Sequence, residues 1–127
     1  EVVENGFVRQ KVPIVPGKWE PTFQSLTAQD DLSLRRLIVE EMKSFERAND
    51  YVTTKYSLMA TVAALYAVNN FVLPSFRDQN DNFSDVLFWK KFEFVQKYSF
   101  NMVASAAVHF LYFDIRVRSL FKAIKNG

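Results

Sequence analysis

The chain has no cysteine. That excludes disulfides, thiolate zinc sites, iron–sulfur ligation and thiol catalysis together. It has one histidine, His109, so a multi-histidine metal site within the chain is excluded as well. Glycine is scarce, at three residues, which favours helices over sheets built on tight hairpins. Charge of one sign is not in excess. Sixteen basic and fourteen acidic side chains leave a net charge of +2, without the strong basic character expected of a nucleic-acid binder. Catalytic constellations are missing too. There is no phosphate-binding glycine loop, no zinc spacing and no carboxylate pair, and Ser57, Ser99 and Ser105 have only His109 as a base. Asp78, Asp81 and Asp85 lack the glycine and closing glutamate of a calcium loop. The expectation is a protein that is not an enzyme.

What is present is apolar and aromatic. Phe alone accounts for 13 residues. Tyr56–Phe76 is an uncharged run between Lys55 and Arg77, long enough to cross a ~30 Å hydrocarbon core. Tyr98–Phe113 is a second uncharged run, lengthened by Phe92, Phe94 and Val95 and bounded by Asp114. Trp89, Lys90 and Lys91 ahead of it fit a membrane–water boundary, with lysines snorkelling outward.

The pattern predicts an all-α fold: a membrane-embedded two-helix hairpin, spans about 56–76 and 94–114, with long amphipathic helical extensions. Residues 1–26, rich in proline, form an extended docking arm, and residues 27–127 form the helical hairpin. Thr27 caps a helix whose first turn carries Asp30 and Asp31, and Ser84 or Asn82 caps the helix after the polar turn. Counting Lys and Arg near the span ends places both termini on the negative side of the membrane, the matrix or the cytoplasm.

Within the hairpin, Ala60, Ala64 and Ala67 on the first span and Ser105 on the second are small packing residues. Antiparallel geometry pairs Asn70 with Asn101. Asn101, Ser105, His109, Tyr112 and Arg116 share one polar helix face. Arg116, Arg118, Lys122 and Lys125 form a basic tail suited to phospholipid headgroups, cardiolipin among them.

The run from His109 to Asp114, HFLYFD, resembles the haem- and quinone-binding helix of succinate dehydrogenase membrane anchors. This chain has one span fewer and lacks that family's Arg-His doublet. The resemblance implies that His109, Tyr112 and Arg116 contact haem b or a quinone shared with partner subunits. In size and layout the chain is similar to small accessory subunits of mitochondrial respiratory complexes and of ATP synthase. That similarity implies a non-catalytic assembly subunit of the inner membrane, without a cofactor of its own and packed against other membrane subunits. The remaining alternative is a soluble helical interaction module.

Overall fold

The computed structural model describes residues 2–4, 7–41 and 49–126, with side chains described over 7–40, 56–120 and at 122. It overturns the all-α hairpin. Five strands and four helices are described, in the order β1 (Val2–Glu4), β2 (Phe7–Lys11), β3 (Pro21–Gln24), α1 (Ala28–Glu41), α2 (Asn49–Ala64), β4 (Leu65–Val68), β5 (Phe71–Val72), α3 (Asp85–Val95) and α4 (Phe100–Asn126). The sheet is antiparallel throughout and follows chain order, β1-β2-β3-β4-β5. Among the described residues no helix is long and apolar enough to cross a membrane.

The residues expected to form an extended arm supply three of the strands. Pro16 and Gly17 sit at the centre of a turn closed by Lys18 N–H to the Val15 carbonyl (2.9 Å). Gly17 takes φ +76°, which glycine adopts without a Cβ penalty. The turn folds β3 back onto β2, with Val12 N–H bonded to the Pro21 carbonyl (2.8 Å). Pro21 lies at the first position of its strand, where proline is tolerated.

The first expected span is also divided. α2 ends at Ala64 and the chain continues as a strand, because Leu65–Val68 pairs with Pro21–Gln24. Asn69 and Asn70 then make a two-residue turn into β5, with Asn69 in the left-handed region at φ 55°. Asparagine is among the few side chains that accept that conformation readily. The second expected span is broken as well. α3 stops at Val95, and α4 restarts after Ser99, whose Oγ accepts from Met102 N–H (3.3 Å).

Both expected N-caps hold. Thr27 Oγ1 accepts from Asp30 N–H (3.1 Å), and the Asp30 carboxylate accepts from Thr27 N–H (2.8 Å), a reciprocal capping box. Ser84 Oγ accepts from Leu87 N–H (3.3 Å) at the start of α3. The single core joins sheet to helices. Phe23 of β3 is fully buried and meets Phe110 and Phe113 of α4, with ring centres 6.0 and 5.7 Å away. α2 packs against α1, α3 and α4.

Candidate functional site

A cavity of about 460 Å³ opens beside the sheet, between the start of β4, the segment after β5, and α3. That size is usual for a small-molecule site, roughly 300–1,000 Å³. Phe7, Leu65, Tyr66, Leu73 and Phe76 supply apolar wall, and Arg9, Arg77 and Lys91 supply positive charge.

Lys91 is the unusual member. Phe88, Lys91 and Val95 are the buried residues of α3, at spacings of three and four, so a lysine occupies a core position. It is only 3% exposed. Its Nζ donates to the Ala63 carbonyl (3.0 Å). Residue 67 is in a strand, so that carbonyl lies at the helix end, where intrahelical partners run out, and the lysine supplies one. The amine also lies 5.2 Å from the Phe76 ring centre. Among the described residues it has no carboxylate in ion-pair range. Burial, reinforced by the Arg77 charge and opposed by Asp30, brings its pKa down to about 7.

Arg77 is held from several sides. It pairs with the buried Asp30 carboxylate, and its guanidinium carbon lies 4.8 Å from the Phe76 ring centre and 5.0 Å from that of Phe7. Asp81 lies 4.0 Å away at the cavity rim. One oxygen of Asp30 accepts from Thr27 and Arg77, while Oδ1 is buried and has no hydrogen-bond partner among the described residues. On the sheet, Arg9 Nε donates to Gln24 (2.6 Å), and its guanidinium stacks 4.0 Å from the Tyr66 ring centre. The cluster can hold an anion by charge and an apolar body by contact.

The residues singled out from sequence lie elsewhere. His109, Tyr112 and Arg116 do come together, lining a shallow cleft of about 190 Å³ with Gln10 and Val12. That volume is below the usual range for a small-molecule site. Arg116 donates to the Gln10 side chain. Ala60 and Ala64 are buried within α2, whereas Ala67 is buried in β4 opposite Thr22. Asn70 and Asn101 form no bridge to each other: Asn70 Oδ1 accepts from Lys11 Nζ (3.4 Å), and Asn101 is exposed on α4. Ser105 Oγ instead receives the indole N–H of Trp19 (3.0 Å). Of the basic tail, Arg118 pairs with Asp114 at the expected i,i+4 spacing (3.0 Å), Lys122 is exposed, and the Lys125 side chain is outside the described residues. Lys91, expected to snorkel at a membrane boundary, is a core residue. Its spacing places it on the same helix face as Phe88 and Val95, which is consistent with burial but does not by itself mark a lysine as a core residue. Among the described residues, no three His, Asp or Glu side chains gather to hold a metal ion.

α4 shows a second feature. Phe100, Val108, Leu111, Tyr112 and Ile115 are each more than half exposed, and their spacing puts them on one face of the helix. No protein-family model, curated protein or solved structure matches this chain.

Proposed function

We propose that the chain binds a small organic anion with an apolar body in the cavity beside Lys91. The observation that carries this reading is a buried lysine on a cavity wall, next to an arginine and, among the described residues, without a carboxylate partner. An unpaired buried charge is costly, and an incoming carboxylate or phosphate lowers that cost. Arg77 is already positioned by Asp30 and Phe76, so it presents its donors without further ordering. Thermal melts in the presence of 4-methylpentanoate and of hexyl phosphate test the proposal. The expected result is stabilisation by at least one of them, about 2.7 kcal/mol at a hundredfold excess over Kd. Lys91→Met is expected to lose most of that response while remaining folded. No response to either anion in the unsubstituted protein would sink the reading.

A second reading rests on α4. An apolar face of this extent normally meets a partner, and it supports a role as a component of a larger assembly. Val108→Glu with Leu111→Glu is expected to leave the melting temperature within about 0.5 kcal/mol equivalent, because both side chains are exposed. The same pair is expected to release the chain from the particle it sediments with in an extract. Co-sedimentation unchanged by the two substitutions would dismiss this role for α4.

A further inference from the structure

We propose that Lys91 forms a reversible imine with the carbonyl carbon of a small oxo acid held in the same cavity, an inference that rests on the anion-binding reading above. The placement of the amine carries it. Nζ is anchored through one N–H to the Ala63 carbonyl, and it lies 5.2 Å from the centre of the Phe76 ring. The Arg77 guanidinium carbon lies 4.8 Å from the same ring centre. The cavity lining therefore holds a nucleophilic nitrogen and a carboxylate receptor, both beside the same aromatic ring. Leu65, Leu73 and Phe7 line the space beyond them, which suits a branched or aromatic substituent.

A surface lysine is almost wholly protonated near neutrality and is a poor nucleophile. Lys91 differs because of its surroundings. Burial and Arg77 disfavour the ammonium, and its pKa comes down to about 7. Asp30 on α1 acts in the opposite sense. Among the described residues, Arg9 on β2 and Asp81 on the cavity rim are the other charged groups facing the cavity. α2 contributes the Ala63 carbonyl, which also favours the protonated form. A desolvated lysine beside a second cation is an established way to activate an amine.

In the step itself, the Nζ lone pair attacks the carbonyl carbon. A C–N bond forms, and the C=O π pair moves to oxygen. The added nitrogen loses a proton to water and the oxygen gains one, giving the carbinolamine. The C–O bond then breaks with uptake of a second proton from solvent. Water leaves, and a protonated imine remains. Nothing is oxidised or reduced.

Reductive trapping tests this. The whole chain is incubated with 4-methyl-2-oxopentanoate and cyanoborohydride at several pH values, and the modified lysines are located by peptide mapping. Binding of the oxo acid and of 4-methylpentanoate, which lacks the carbonyl, is measured by calorimetry in parallel. The expected result is one dominant adduct, on Lys91. Its rate should rise through about pH 7 and level off by about pH 9, and 4-methylpentanoate should suppress it. Binding of both acids with no adduct at Lys91 overturns the imine and leaves the anion site standing. Binding of neither overturns the imine, and overturns the anion site as well when hexyl phosphate also fails to stabilise the protein. Adducts spread evenly over exposed lysines, with Lys91 no faster than the rest, also overturn the imine. Mapping is done on the unsubstituted protein, so the outcome does not depend on a Lys91 variant folding.

Discussion

At the scale of single residues, the chain has placed a charge where an apolar side chain would ordinarily sit. Lys91 falls between Phe88 and Val95 on the buried face of α3 and completes the end of α2. Its pKa is about 7 in the fold and near 10.5 when the chain is unfolded. Between those values the unfolded chain binds a proton that the folded chain does not, so stability rises with pH across that window. Below about pH 7 both states carry the proton and the cost of burial is fully expressed. Tyr56 acts later and in the other direction. Burial and its hydrogen bond to Asp31 raise its pKa to about 12, so the stability it contributes is lost as pH climbs from 10 to 12. Chemical denaturation across pH 6–12 is expected to show a maximum near pH 10. The rise amounts to a few kcal/mol, at ~1.4 kcal/mol per tenfold difference in proton affinity. Lys91→Met should flatten the rising limb and Tyr56→Phe the falling one. A rising limb that survives Lys91→Met would place its origin elsewhere.

At the scale of elements, what the sequence discloses depends on how local the cause is. Thr27 with Asp30, and Ser84 with Leu87, are contacts within one helical turn, and both caps follow from residue type and spacing. The Asp114–Arg118 pair is equally local. The division of Tyr56–Phe76 is not. Leu65–Val68 is a strand because Pro21–Gln24, more than forty residues earlier, supplies its partner. A long uncharged run hides that change, since buried helix and buried strand are both apolar. The turn signal was nevertheless present in Val68-Asn-Asn-Phe71, two asparagines between apolar residues. Asn69 serves the turn twice, through φ 55° and through its Oδ1, which accepts from Glu20 N–H (2.9 Å). Asn69→Gly retains the backbone freedom and loses only the side-chain bonds, to Glu20 N–H and from Nδ2 to the Lys18 carbonyl (3.4 Å). Asn69→Ala loses the freedom as well, and the left-handed conformation alone costs about 1–2 kcal/mol. Alanine is therefore expected to destabilise by about 1–2 kcal/mol more than glycine in urea titrations. Equal losses for the two would mean that the turn is not held in that conformation. Lys91 was hidden for a different reason: lysine is so seldom buried that a position on a helix face does not by itself mark it.

At the scale of the molecule, the fold depends on the residues that looked least like core. The N-terminal strands are not an appendage, because β3 lies at the centre of the sheet and brings Phe23 against Phe110 and Phe113. Trp19, just before β3, is buried and reaches Ser105 on α4, joining the two ends of the chain. The same strands carry Phe7 and Arg9 to the cavity, so fold and candidate site share their support. Without residues 1–26, β4 and β5 would be a lone two-stranded ribbon, which is at best marginally stable. The aromatic side of α4 would also lose the surface that covers it. A chain beginning at Thr27 is therefore expected to lose its cooperative thermal transition and its near-ultraviolet circular dichroism. In the full chain, Trp19→Ala is expected to cost about 3–5 kcal/mol, as for other buried tryptophans. Trp19→Phe keeps most of the apolar volume and removes the indole N–H. Its expected cost is smaller, since it leaves only Ser105, half-buried and already bonded to the Met102 carbonyl, without its donor. If the shortened chain still melts cooperatively with its near-ultraviolet signal intact, the helices form a core of their own, and the sheet exists to build the cavity.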